Sequence, residues 1–273
     1  MSYYSVLGLS KEPFSTSPDP DFFYHSQSHY TALKRLEISI RLRRGLNIIL
    51  GDVGMGKTTL MRTLIREFKQ EQDYIFHMSL DPCYNSEYNF LSSLVKMFGI
   101  TSQLKSTTDF KEALEKYLYS MGVEKNKTII LLIDEAQKIS VKNLEVLRTL
   151  LNFETNEYKL LQLVIMGQTE LLPRIKRIKN FMDRISLKYT INPLDEAETK
   201  QLIEFRLKAA GYSGKKVLFS DEAIQKVYQY SQGYPRKISM LCHDILENVV
   251  MRDAEVVDPG LVEILIEREK KYG

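Results

Sequence analysis

Eight consecutive residues, Gly51-Asp52-Val53-Gly54-Met55-Gly56-Lys57-Thr58, carry the spacing G-x-x-x-x-G-K-[ST]. They stand between an apolar run (Leu46, Ile48, Ile49, Leu50) and a helix-like stretch from Thr59 to Lys69. A strand, a tight turn and a helix start in that order are what a phosphate-binding loop requires. The glycines at 51, 54 and 56 allow backbone angles and a closeness of approach that a Cβ would block. The N–H groups from Gly51 to Thr59 can then wrap a triphosphate at the positive end of the following helix. Lys57 would reach the β- and γ-phosphates, and the Thr58 hydroxyl would ligate Mg²⁺. The loop predicts a nucleoside triphosphate as ligand.

A second constellation lies about 80 residues downstream, a separation compatible with a phosphoryl-transfer site. Thr128-Ile129-Ile130-Leu131-Leu132-Ile133 is a continuous apolar strand ending in Asp134-Glu135. Hydrolysis of a triphosphate needs positioning and charge stabilisation more than covalent help. Asp134 is therefore the expected Mg²⁺ residue and Glu135 the group that polarises the attacking water. Gln168 ends the next apolar strand, where functional groups gather in open α/β sheets. It either contacts the γ-phosphate or its water, or caps the turn into the next helix. Arg184, in Asp183-Arg184-Ile185, either reaches the γ-phosphate of a neighbouring subunit or forms a surface ion pair; Arg174 and Arg177 are rivals for the first role. Gly233-Tyr234-Pro235-Arg236 opens a late helix, with Pro where its missing N–H costs nothing, and Arg236 could swing onto the nucleotide phosphates. His25 and His29 have helical spacing but no third ligand, and Asp19 and Asp21 read as turn residues.

These residues are positioned by two kinds of chain. Residues 46–191 alternate strands (46–50, 74–80, 128–133, 160–166 and about 187–191) with helices near 59–69, 87–98, 108–121, 141–151 and 170–181. Continuous apolar strands of this type are buried on both faces, so the fold class is α/β: a P-loop nucleotide-binding parallel sheet of five strands with helices on both sides. Beyond Pro193 only helices remain, at about 195–210, 220–231, 235–251 and 259–270, with Asp195 and Ser220 as N-caps and Gly211 and Gly233 as stops. The first 26 residues are rich in Pro, Ser, Asp and aromatics and read as an extended arm laid across the main domain. The expected organisation is an arm (1–26), an α/β nucleotide-binding domain (27–193) and a smaller all-α lid (194–273).

Composition excludes several classes. The 273 residues are 44% apolar and 27% charged, as in an ordinary globular protein. A net charge of +3 is too mild to imply nucleic acid by itself. Cys83 and Cys242 match no metal or redox spacing and fit two core thiols in a reduced, cytoplasmic compartment. The N-terminus lacks the pattern of a signal peptide. No stretch approaches the ~20 apolar residues of a membrane span, so recruitment to the inner face of a membrane would go through a partner.

Taken together the motifs resemble the AAA+ ATPases and, within them, the ExeA/GspA-like group of general secretion and MSHA-type pilus biogenesis. The resemblance runs from Leu7-Gly8-Leu9, Glu12-Pro13-Phe14 and Ser17-Pro18-Asp19-Pro20-Asp21-Phe22-Phe23-Tyr24 through Ala32-Leu33 and Leu36 to Gly51–Leu60, Ile133–Gln137, Gly167–Leu171, Asp183–Ile185 and Gly233–Arg236. It implies ATP and Mg²⁺, with Gln168 at the sensor-1 position, Arg184 at the arginine-finger position and Arg236 at the sensor-2 position. It also implies a homo-oligomeric ring or spiral with ATP between subunits, and adenine near Phe23, Tyr24 or His25. Full-length secretion-type members continue into a membrane span and a peptidoglycan-binding region, whereas this sequence ends at Gly273. Either a naturally short soluble member or the ATPase part of a longer protein would end so. The expected role is a motor or switch for a secretion, pilus or exopolysaccharide export machine, with a protein of that machine as partner. The alternative is a TnsC/TniB/IstB-like regulator that assembles on duplex DNA and recruits a transposase. Arg174, Lys176, Arg177 and Lys179, with Lys138 and Lys142, would then contact phosphates and make affinity steeply salt-dependent.

Overall fold

A computed structural model describes residues 2–101, 103–214, 218–254 and 256–272; Met1 and Gly273, the outer limits of the expected arm and lid, lie outside them. In chain order the helices are α1 (Tyr3–Val6), α2 (Gln27–Arg41), α3 (Lys57–Glu67), α4 (Glu87–Met97), α5 (Thr107–Tyr119), α6 (Val141–Leu150), α7 (Leu171–Lys176), α8 (Glu196–Ala209), α9 (Asp221–Ser231), α10 (Pro235–Met251) and α11 (Pro259–Tyr272). The strands are β1 (Leu46–Leu50), β2 (Tyr74–Ser79), β3 (Thr128–Ile133), β4 (Leu161–Gly167) and β5 (Ile185–Thr190). The chain divides into two compact units. One holds residues 28–53 and 60–191; the other holds the first 27 residues, Gly54–Thr59 and everything from Asn192 onward.

The first unit is the α/β sheet. Its five strands run parallel in the order β2-β3-β4-β1-β5. Every residue of β1, β3 and β4 is buried, while β5, at an edge, alternates between half-buried and exposed. Central parallel strands need both faces covered, which is why they read as unbroken Val/Ile/Leu runs. The core on one face joins Phe90, Leu94, Leu114, Leu118, Leu147 and Phe181 to the inward residues of β1, β3 and β4. Register follows from the pairs Leu50↔Gly167 and Ile133↔Ile165, so β1, β4 and β3 end side by side at one edge.

The second unit is a helical bundle. Leu202, Ile203, Val227, Ile238, Leu241, Ile245 and Val262 form its centre. The N-terminal residues join it: Leu9, Phe14 and Phe22 belong to this core, Ser10 N–H donates to the Ala210 carbonyl at 2.8 Å, and Arg206 Nη1 donates to the Ser15 carbonyl at 3.1 Å. The arm is thus packed on the lid helices. The bundle leaves an apolar face for which these aromatics are the cover. Burial of Arg206 lowers its guanidinium pKa to about 10.

Other differences are local. Instead of a helix over 170–181, α7 ends at Lys176. The chain then passes through a left-handed Asn180 (φ 59) and a short 3₁₀ turn, Met182–Arg184. Cys242 is buried, but Cys83 is exposed, because it lies in the loop after β2 rather than on an element facing the core. The N-caps agree with the sequence reading: Asp195 forms a capping box with Glu198 and Ser220 caps α9. Asp19 accepts from Asp21 N–H at 2.9 Å in a turn.

Gly233 is the tightest backbone position. Its φ is +74, and a Cβ there would lie 1.9 Å from the Leu194 carbonyl oxygen, whose residue also donates its N–H to Gly233 O at 3.0 Å. Backbone cannot yield as a side chain can. Gly233→Ala is therefore expected to destabilise by about 4 kcal/mol or more, measured as a shifted denaturant midpoint; a loss under about 1 kcal/mol would show that this approach is not fixed.

Candidate active site

The loop leaves β1 under backbone control. Leu50 O accepts Ile191 N–H at 2.8 Å, and Gly51 N–H donates to Gly167 O at 3.1 Å. Gly54 and Gly56 have φ of 82° and 80°, the left-handed region that disfavours side chains. Gly51 is not among the positive-φ glycines; its part is the bond to the end of β4. Asp52 and Val53 are exposed, Met55 and Lys57 buried, Thr58 and Thr59 half-buried, and α3 starts at Lys57. The loop glycine Gly54 also meets the sensor-2 candidate. Its carbonyl accepts Arg236 N–H at 3.2 Å, and a Cβ on it would lie 2.8 Å from Arg236 Cβ. Arg236 stands in the first turn of α10, after Pro235 at N1, with its side chain exposed.

The acids follow β3 directly. Asp134 N–H donates to Ser79 O at 2.9 Å, extending the β2/β3 ladder one step. Its side chain is 2% exposed, and Oδ1 accepts Glu135 N–H at 2.9 Å. A buried carboxylate is costly unless it is hydrogen-bonded or holds a cation, so Asp134 suits Mg²⁺. Glu135 adopts φ 50, ψ 36, a left-handed conformation costing a non-glycine residue about 1 kcal/mol. That turn carries its side chain to Gln137, whose Nε2 donates to Glu135 Oε2 at 2.7 Å. The other end of the same amide, Oε1, accepts the N–H of Gln168 at 3.1 Å. Asp134, Glu135 and Gln168, far apart in sequence, thus stand at one sheet edge beside Gly51.

Gln168 O accepts Leu171 N–H at 3.0 Å, so the backbone makes the turn into α7 and the side chain is not needed for it. Arg184, half-buried after the 3₁₀ turn, has its Nε buried with no hydrogen-bond partner among the described residues; its charge adds to the Arg148 hydrogen bond in holding the Glu145 carboxyl below its usual range. Its rival Arg174 is tied by Nη1 to Ile139 O at 3.3 Å. In the arm, Phe23 is buried, Tyr24 donates its hydroxyl to Gln201, and His25 is exposed with its ring 5.0 Å from Phe23. His29 is buried on α2. Among the described residues His243, Asp244 and Glu247 have ligand atoms within 4.8 Å of one another, but His243 Nδ1 is already 3.0 Å from both the Glu12 carboxylate and the Tyr3 hydroxyl, so this group ties the arm to α10. The residue that the motif reading left without a role is Gln137. Its signal was an amide two positions past Glu135, in a stretch otherwise apolar or charged.

Residues 40–175 match the protein family described as AAA domain. Over 269 residues the chain is 31% identical to general secretion pathway protein A of Aeromonas hydrophila, covering 94% of this chain and 47% of that protein; it spans about half of that relative's length. Among solved structures, Cdc6p from Pyrobaculum aerophilum superposes with a TM-score of 0.70 at 18% identity, over 93% of this chain and 69% of that one. The Aeropyrum pernix ORC2 protein, in ADPNP-ADP complexes, gives 0.68 at 15% identity, over 94% and 71%. These structures share the fold. The chain belongs to the AAA+ family and, within it, to the ExeA/GspA-like group.

Proposed function

We propose that the chain binds ATP with Mg²⁺, hydrolyses it at subunit interfaces of a homo-oligomer, and serves as a motor or switch for an envelope machine of the secretion, pilus or polysaccharide-export kind. The observation that carries this is the shared sheet edge: the loop leaves β1 bonded to the end of β4, where the acids of β3 and the amide of Gln168 also stand. Lys57 and the loop N–H groups hold the phosphates, and Thr58 with Asp134 holds the metal. Mg²⁺, when bound, neutralises charge on the β- and γ-oxygens. Glu135 takes a proton from the attacking water, Gln168 contacts the γ-phosphate, and Arg236 senses the nucleotide from α10.

Arg184, whose Nε has no hydrogen-bond partner among the described residues, serves the neighbouring subunit. The lid, the loop and the arm aromatics give adenine its surroundings. No helix among the described residues is long and apolar enough to cross a membrane, and the chain acts on the cytoplasmic side, drawn to the membrane by a partner. Similarity over nearly the whole chain to a secretion-pathway protein supports the envelope reading. The transposition alternative gains nothing comparable: Arg174 is spent on a backbone carbonyl and Lys138 pairs with Asp81 at 3.6 Å.

Glu135→Gln is expected to bind ATP as the parent does, to lose roughly 10²- to 10⁴-fold in turnover, and to elute as a larger species with ATP, with or without duplex DNA. Parental turnover would remove Glu135 as base, and assembly that depends on DNA and collapses with salt would favour the transposition reading. Arg184→Ala alone should lose roughly 10³-fold in kcat. Mixed with Glu135→Gln subunits, which keep their own Arg184, it should recover activity; no recovery in the mixed assembly would rule out action in trans. Gly54→Ala, strained at φ +82 and pressed against Arg236, should weaken ATP binding about tenfold, and unchanged affinity by calorimetry would show that the loop tolerates a Cβ there.

A further inference from the structure

We propose that Gln137 is the positioning residue of the hydrolytic step: its side-chain amide holds the Glu135 carboxylate in place and locks it to the strand end that carries Gln168. This rests on the reading of Glu135 as base. Gln137 is 8% exposed and both ends of its amide are engaged, Nε2 to Glu135 Oε2 at 2.7 Å and Oε1 to Gln168 N–H at 3.1 Å. Its orientation is dictated rather than chosen. A backbone N–H can only donate, so the carbonyl end must face Gln168; an ionised carboxylate can only accept, so the NH₂ end must face Glu135.

The consequence is chemical. A glutamate turns about three side-chain bonds, and an unheld carboxylate would spend little time aligned with a water. The Gln137 bond uses Oε2 and leaves Oε1 as the oxygen that takes the proton. Because the same amide is fixed to the N–H of Gln168, the base and the γ-phosphate contact move as one body. A shift of the β4 end when the terminal phosphate arrives or leaves is passed to the base through a single side chain. Gly167 makes the approach tight: a Cβ there would lie 3.2 Å from Gln137 Oε1 and 3.4 Å from its backbone N. That residue pairs with Leu50 at the root of the phosphate loop.

The decisive variant is Gln137→Glu, which keeps shape and the acceptor for Gln168 N–H but turns the donor facing Glu135 into a second carboxylate. A misplaced base should lower kcat about 10- to 100-fold while the KM for ATP stays within about twofold. Gly167→Ala, which leaves both side chains in place and crowds the amide together with the Leu171 side chain, should move kcat in the same sense with KM again unchanged. The exchanged pair Glu135→Gln/Gln137→Glu restores a donor opposite an acceptor. It should recover the Tm that Gln137→Glu loses, roughly 2–4 °C for a coupling of about one tenfold factor, while remaining inactive. Gln137→Glu with parental kcat beside an inactive Glu135→Gln overturns the proposal and leaves the base assignment standing. Parental turnover in Glu135→Gln removes the base assignment instead, and additive Tm losses in the exchanged pair overturn the contact itself.

Discussion

Everything proposed for this protein depends on the pairing of β1, β4 and β3 in a fully buried parallel sheet. Parallel strands exchange evenly spaced hydrogen bonds and all point the same way, so their carboxyl ends collect at one edge even though the segments lie far apart in the chain. The pairs Leu50↔Gly167 and Ile133↔Ile165 set the offset between them. Two backbone bonds then carry the pattern past the strand ends, Gly51 N–H to Gly167 O and Asp134 N–H to Ser79 O. A slip of one residue in β3 would turn every one of its side chains to the other face and withdraw Asp134 from the edge. The apolar strand composition is therefore a condition of the chemistry as much as of stability.

The same edge explains which parts were legible in the sequence. The loop, the strand ending in Asp134-Glu135, and the caps at Asp195 and Ser220 are local: each needs only its own neighbours in the chain, so spacing and residue type reveal them. The sheet of five parallel strands followed by helices was legible for a similar reason, since burial on both faces leaves a continuous apolar run. What was not legible depends on approach between distant segments. Gln137 acquires its distant partner, Gln168, only when β3 and β4 are paired, and nothing in its residue type announces that contact. The arm's Leu9, Phe14 and Phe22 announced a need for burial but not which surface would supply it, and the helical unit does. After α7 the chain takes a left-handed turn at Asn180, which composition permits but does not compel.

Glycine has a different meaning at each of the positions that matter. At Gly54 and Gly56 it supplies a backbone angle. At Gly233 it supplies both an angle and room for the Leu194 carbonyl. At Gly167 the φ is ordinary and only room is needed, for the Gln137 amide and the Leu171 side chain. The Gly-x-Pro-Arg motif thus combines an obligatory close contact with a helix start, which fixes where Arg236 emerges. Its N–H reaches Gly54 O, so the first turn of α10 and the second half of the phosphate loop belong to one compact unit while Gly51 to Val53 stay with the sheet.

Glu135 is where local rules are broken, and the direction of inference matters. A non-glycine residue in the left-handed region costs about 1 kcal/mol, and persists only where surroundings over-determine it. Here three fixed points do so: Asp134 Oδ1 holds the Glu135 N–H, Glu135 O accepts the N–H of Lys138, and Gln137 holds the carboxylate. A relaxed backbone at this position would save that strain but would release at least one of the three. Structural economy alone would favour asparagine or glycine here, both of which tolerate the angle. A glutamate kept in that conformation, with its carboxylate gripped by a side chain that is itself bonded to the neighbouring strand end, is better accounted for by what the carboxylate does than by what it stabilises.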